Sequence, residues 1–271
     1  MYRDDDLTKF DATGPHPLPP ARRRGFVETD GASIWFATFG EGPAVVLLHG
    51  GMGNATNWGF QVPALVDAGY TAIVVDSRGQ GRSSRDDRPF SYAQMADDTV
   101  AVLDRLEVER AAFIGWSDGA CTSLVLADKH PERVAGIFFF ACNVNPMGTR
   151  PFVYTDVIGR CLSRNKKDYE ALSPTPDDFG ATFEAVGVMQ RSQPNYGAAE
   201  LARIRVPVWS VLSEQDEFIT PEHADFIANS IPGARRVGMA GVTHFAPVQQ
   251  PYVFNQAVLQ FLEELPGFGR K

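Results

Sequence analysis

The sequence predicts a doubly wound α/β protein, a mostly parallel sheet with helices on both faces, interrupted once by a small helical cap. Three observations carry this expectation. Five short apolar runs, "AVVLLH", "TAIVVD", "AAFIGW", "VAGIFFFA" and "VPVWSVLS", are unbroken rather than alternating, as strands buried on both faces of a parallel sheet must be. Helix-like stretches separate them, so the chain alternates β and α. With 271 residues, 44% of them hydrophobic, it can bury one large core.

Residues 1–25 join an acidic start to "GPHPLPP", which cannot form a ladder or a helix, and are expected to be an N-terminal arm. "RRR" at Arg22 to Arg24 reads as a solvated linker, because no apolar stretch follows it. From Phe26 the pattern turns β-rich, with Thr29-Asp30-Gly31 and Glu41-Gly42-Pro43 as turn signals. "SYAQMADDTVAVLDRLEV" places Met95, Val102, Leu103 and Leu106 near one helix face after Ser91 as N-cap. "TPEHADFIANSIPG" opens a helix with Thr220 as cap and Pro221 at its first position. Between Asn143 and Arg205 the alternation stops amid Pro146, Pro151, Pro174, Pro176 and Pro194, and the stretch is too long for a loop. The expected organisation is therefore a core of 26–143 and 206–271 with a helical cap at 144–205.

Composition narrows the function. The balance of 25 Lys and Arg against 33 Asp and Glu, a net charge of -8, opposes docking on nucleic acid or an anionic membrane. Cys121, Cys142 and Cys161 are an odd number without CxxC spacing and read as reduced, packed thiols in a cytoplasmic protein. No apolar run reaches the roughly 18 residues of a membrane span. HExxH spacing is absent, and "GMGNAT" lacks the third glycine of a dinucleotide fingerprint, so neither metal nor cofactor is expected. A small-molecule ester substrate is the expected partner, and a homo-oligomer is left open by the sequence.

The chemistry centres on "GWSDGA", Gly115 to Ala120. A strand ending near Ile114, a sharp turn and a helix beginning near Asp118 would lift Ser117 onto a strained bend at the carboxyl edge of the sheet, the geometry of a nucleophile elbow. The flanking glycines follow, since a β-carbon two residues before or after the serine would strike the neighbouring helix or strand.

A serine hydroxyl is a weak nucleophile and needs a base oriented by an acid. Of five histidines, His16 lies in the Pro-rich stretch, His130 ends a helix and His223 sits beside Glu222 on what reads as a solvated face. His244, in "MAGVTHFAPVQQP", follows a strand in a loop able to reach over the sheet edge, and is the expected base. The acid should follow the strand "VPVWSVLS"; Asp216 is the first choice, with Glu217 and Glu214 in reserve. For the oxyanion, one donor would be the backbone N–H of Asp118 and the other that of Gly51 or Met52 in "LLHGGMGN". His49 is expected to brace that loop, and with Trp116 and Asp118 it borders the space expected to take substrate.

In order and spacing, "LLHGGMGN", "DSRGQGRSS", "GWSDG", "SEQDEF" and "GVTHF" resemble the α/β-hydrolase superfamily over nearly all of residues 26 to 271. The order Ser117, Asp216, His244 is the one that resemblance implies. The elbow "GWSDG" is similar to that of biphenyl-hydrolase-like and valacyclovir-hydrolase-like esterases, whose substrate class is α-amino-acid esters. A serine at 117 argues against the superfamily's haloalkane dehalogenases and epoxide hydrolases, which the resemblance would give an aspartate there. The expected activity is hydrolysis of small carboxylic esters through an acyl-enzyme. A lactonase, a C–C bond hydrolase or a perhydrolase on the same triad, or a non-catalytic ligand receptor on the same fold, are the alternatives.

Asp118 poses its own problem. A carboxylate about 6 Å from the oxyanion, at an effective dielectric near 20, would repel it by about 3 kcal/mol, so it must point away or meet a cation. Either it is a helix-start carboxylate stabilised by the dipole, or the substrate brings an ammonium.

Overall fold

The computed structural model describes residues 6–268. Eight strands form one sheet: β1 (Arg23–Thr29), β2 (Ala32–Phe39), β3 (Ala44–Leu48), β4 (Thr71–Val75), β5 (Ala111–Trp116), β6 (Val134–Phe140), β7 (Val208–Gln215) and β8 (Arg235–Thr243). Their order is β1-β2-β4-β3-β5-β6-β7-β8, with β2 antiparallel to β1 and β4 and every other pair parallel. The helices are α1 (Leu7–Thr13), α2 (Gln61–Asp67), α3 (Tyr92–Arg105), α4 (Asp118–Lys129), α5 (Asp156–Leu172), α6 (Phe179–Ser192), α7 (Ala198–Leu201), α8 (Pro221–Ser230), α9 (Ala246–Gln249) and α10 (Pro251–Glu264).

The unbroken apolar runs have the cause expected of them. Along β3, Val45 and Leu47 join the core on one face of the sheet while Val46 and Leu48 join the core on the other. Each such side chain stabilises the fold by roughly 1.5–3 kcal/mol, which a polar residue on either face would forfeit. Helix ends follow local chemistry: Ser91 Oγ accepts the Ala93 N–H at 3.2 Å to start α3, and Thr220 Oγ1 accepts the His223 N–H at 3.3 Å to start α8. Asp30–Gly31 makes the two-residue turn between β1 and β2, with Gly31 at φ 78°.

The N-terminal segment corrects the expectation of an arm. Leu7 and Phe10, one turn apart, are buried and form α1, which packs on α5, and Arg160 Nη1 donates to Thr8 Oγ1 at 3.2 Å. The acidic and Pro-rich flanks obscure that two-residue apolar face; Met1 to Asp5 lie outside the described residues. Arg23 and Arg24 are not a linker either: they open β1, paired with Thr38 and Ala37, and stay exposed because β1 is the sheet's edge. The 144–205 stretch holds α5, α6 and α7, whose buried residues, among them Cys161, Tyr169 and Met189, merge with the two sheet cores.

His223 departs from its expected solvated face. It is buried, and its Nε2 accepts the Val144 N–H at 2.9 Å, pinning the chain where it leaves β6 for the inserted helices. Gly148 packs flat on the ring, since a β-carbon there would lie 2.3 Å from it. Burial holds this imidazole down at about 4, from an ordinary 6.5. A base with a lowered folded pKa takes up its proton first in the unfolded chain, so stability is intact above pH 6.5 and declines as pH falls toward 4. Thermal or urea unfolding of His223→Gln, which keeps an acceptor but does not titrate, should lose about 2 kcal/mol less than wild type between pH 7 and pH 5.

Among the described residues, no helix is long and apolar enough to cross a membrane.

Candidate active site

Strand β5 runs two residues beyond its expected end, to Trp116, because Gly115 and Trp116 still pair with Phe139 and Phe140. Ser117 then turns at φ 53°, ψ -120°, a left-handed conformation that costs a non-glycine residue about 1–3 kcal/mol. The turn is held by Ser117 N–H to Phe140 O at 2.9 Å and by Ala120 N–H to Ser117 O at 2.7 Å. Both elbow glycines are required sterically. A β-carbon on Gly115 would lie 2.4 Å from Ala120 Cα, and one on Gly119 would lie 2.0 Å from the Leu48 carbonyl oxygen of β3. Ser117 thus heads α4, where the first backbone N–H groups, that of Asp118 among them, have no intrahelical partner.

His244 follows the last residue of β8, which extends to Thr243 through much of the expected loop. Its Nδ1 lies 3.0 Å from Asp216 Oδ2 and 3.2 Å from Oδ1. Asp216 is fixed in turn, its Oδ1 accepting the N–H groups of Phe218 at 3.0 Å and Ile219 at 2.9 Å. The reserve acids fall elsewhere: Glu217 Oε2 accepts the His244 backbone N–H at 2.9 Å, and Glu214 Oε2 accepts the Gly241 N–H at 2.8 Å. Burial alone would push the His244 imidazole down. The Asp216 carboxylate, with Glu217 and Asp118 behind it, outweighs burial, and the net direction is up from 6.5.

The loop after β3 faces the elbow, and a β-carbon on Gly50 would lie 3.2 Å from Ser117 Cβ. Two expectations for this loop are corrected. Met52 cannot serve as the second oxyanion donor, because its N–H is engaged by Gln80 Oε1 at 2.6 Å; Gly51 is the remaining candidate. His49 does not border substrate space: its Nδ1 donates to Gly50 O at 2.8 Å, its Nε2 accepts the Ser77 N–H at 2.9 Å, and it is 1% exposed. Burial lowers its pKa, leaving a neutral brace. Trp116 is buried against Trp58 and Phe245, with its ring 6.2 and 6.0 Å from theirs and 6.3 Å from His244, so it backs the histidine.

Asp118 is 4% exposed, and its named partners are neutral. The Tyr92 hydroxyl donates to Oδ1 at 2.8 Å, and Gln190 Nε2 donates to Oδ2 at 3.0 Å and Oδ1 at 3.1 Å. Burial pushes this carboxyl up, against the pull of those two donors and of His244. Tyr92 and Gln190 carry no sequence signal for the site, since the first opens α3 and the second lies in the last turn of α6, far from the elbow in the chain. Phe218 was equally hidden; its ring meets that of His244 edge-on, 4.7 Å between centroids. Among the described residues no group of three or more His, Cys, Asp or Glu side chains is arranged to hold a metal ion.

Residues 43–155 match the family model described as the alpha/beta hydrolase fold. The chain is 28% identical over 249 residues to serine hydrolase BPHL of Homo sapiens, covering 88% of this chain and 85% of that protein. A shorter stretch of 99 residues, 36% of this chain and 28% of the relative, is 40% identical to epoxide hydrolase B of Mycobacterium tuberculosis. The solved meta-cleavage product hydrolase of Pseudomonas fluorescens IP01 superposes with a TM-score of 0.76 at 21% identity, covering 89% of this chain and 97% of that one. The eight-stranded, mostly parallel sheet and these matches agree on one architecture, and the chain has the alpha/beta hydrolase fold.

Proposed function

We propose that this α/β hydrolase cleaves small carboxylic esters with Ser117 as nucleophile, His244 as base and Asp216 as orienting acid, and that esters of α-amino acids are its preferred class. The observation that carries the reading is the Asp216–His244 pair, whose imidazole ring lies 6.3 Å from that of Trp116, the residue before a serine held at positive φ on the elbow.

In this mechanism Ser117 Oγ attacks the ester carbonyl as His244 Nε2 takes its proton. The bond from Asp216 to Nδ1–H keeps Nε2 free to accept and stabilises the imidazolium that forms. The N–H groups of Asp118 and Gly51 receive the oxyanion. His244 then protonates the departing alcohol, and water, activated by the same base, releases the acid from Ser117. A serine at 117 supports this ester chemistry over epoxide opening.

The substrate class rests on Asp118. Its buried carboxylate is organised by a phenol and an amide rather than by a guanidinium or ammonium of the protein. An ammonium on the acyl group would supply the missing cation and cancel the repulsion of the oxyanion. The test is kcat/KM at pH 7 for valine methyl ester against methyl 2,3-dimethylbutanoate, which replaces the ammonium by a methyl group. Wild type should prefer the valine ester, and Asp118→Asn should reduce that preference by about 10- to 100-fold, the worth of one charged hydrogen bond. A wild type that prefers the neutral ester makes Asp118 a helix-start residue only.

A further inference from the structure

Gln190 lies in the last turn of α6, within the inserted helices, and bridges both oxygens of Asp118. Three parts of the chain meet at this point. A β-carbon on Gly51 would lie 2.6 Å from Asp118 Oδ2 and 2.6 Å from Gln190 Nε2, so the oxyanion loop, the elbow and the cap are in contact. Three residues further on, Gln193 Nε2 donates to Phe90 O at 3.2 Å and its Oε1 accepts the Tyr92 N–H at 3.3 Å. The end of α6 is thereby tied by polar contacts to the start of α3, whose Tyr92 is the other donor to Asp118.

The choice of donor is the informative part. Outside the Asp216–His244 pair, other buried aspartates of this protein are met by guanidinium groups: Asp98 by Arg78 at 2.6 Å, and Asp76 by Arg82 at 2.9 Å. A lysine at 190 would have a similar reach and would neutralise Asp118 directly. A glutamine instead fixes the plane of the carboxylate and leaves its charge uncancelled.

We propose that Gln190 is a specificity-determining residue of the cap: it positions the Asp118 carboxylate without neutralising it, reserving that charge for the ammonium of the substrate's acyl group. The assignment rests on the amino-acid-ester reading above and carries specificity from the elbow to α6. Gln190 acts on binding of the acyl group and not on the proton transfers at Ser117.

The experiment is the ratio of kcat/KM for valine methyl ester over methyl 2,3-dimethylbutanoate at pH 7, in wild type, Gln190→Lys and Gln190→Glu, with Ser117→Ala as blank. Gln190→Lys supplies the cation from the protein, and the ratio is expected to fall about tenfold or more, chiefly through KM of the valine ester. Gln190→Glu adds negative charge at nearly the same shape, and its ratio should equal or exceed that of wild type. Should Gln190→Lys not fold, Gln190→Met, which donates no hydrogen bond, takes its place with a fall of about fivefold or more. A ratio within threefold of wild type in Gln190→Lys (or in Gln190→Met, where it stands in), or an equal fall in the Glu variant, overturns the assignment while leaving the ammonium reading in place. A wild type without preference for the valine ester overturns both, and does so before any variant is compared.

Discussion

Replacing Ser117 by alanine is expected to lower ester turnover by about a millionfold, because the members of a nucleophile–base–acid unit do not act independently and removal of the nucleophile removes the whole unit. The fold should survive. Ser117 is held by backbone bonds to Phe140 and Ala120 that alanine keeps, and the steric demands at the elbow come from Gly115 and Gly119. What remains would be the effect of bound oxyanion donors and orientation, about 10³- to 10⁴-fold over water. The measurement is kcat/KM on a small methyl ester with the thermal midpoint as fold control. Turnover within tenfold of wild type in a folded Ser117→Ala would remove the serine from the chemistry.

Asp216→Asn should cost about 10⁴-fold in kcat, by a different route. Asparagine retains an oxygen for the N–H groups of Phe218 and Ile219, so the loop after β7 keeps its shape. Its amide nitrogen, however, would point a donor at His244 Nδ1, forcing the ring proton onto Nε2, where it can no longer accept from Ser117. The pH profile should shift as well. In wild type the His244 pKa is raised, so the neutral base, and with it kcat/KM, is lost as pH falls through a value above 6.5. Without the Asp216 charge, burial dominates and the residual activity of Asp216→Asn should hold to lower pH. A variant with an unmoved acid limb and activity within tenfold of wild type would reassign the orienting acid.

Much of the architecture was legible because burial on both faces of a parallel sheet leaves an unbroken apolar run, a signal that needs no partner to be read. The elbow was legible for a similar reason: the two glycines around Ser117 record close approaches to α4 and β3 within the local sequence. His244 and Asp216 follow from position at strand ends. The rest depends on contacts between distant segments. Leu7 and Phe10 form a helix because α5 offers a surface, and His223 is buried because the chain leaving β6 folds over it. Likewise, nothing in "HGGMGN" tells that Gln80 takes the Met52 amide, and nothing in "SYAQ" or "GVMQ" tells that Tyr92 and Gln190 converge on Asp118. The elements were encoded locally, whereas the partners of the buried polar groups were set by packing.

The most direct test of the central claim is intact-mass analysis after treatment with a fluorophosphonate, a reagent that reports an activated serine whatever the substrate. One adduct, mapped to Ser117, should form rapidly in wild type, be absent in Ser117→Ala and form far more slowly in His244→Ala. No adduct on wild type, an adduct on another residue, or equal labelling of the His244 variant would contradict a serine activated by His244 and Asp216.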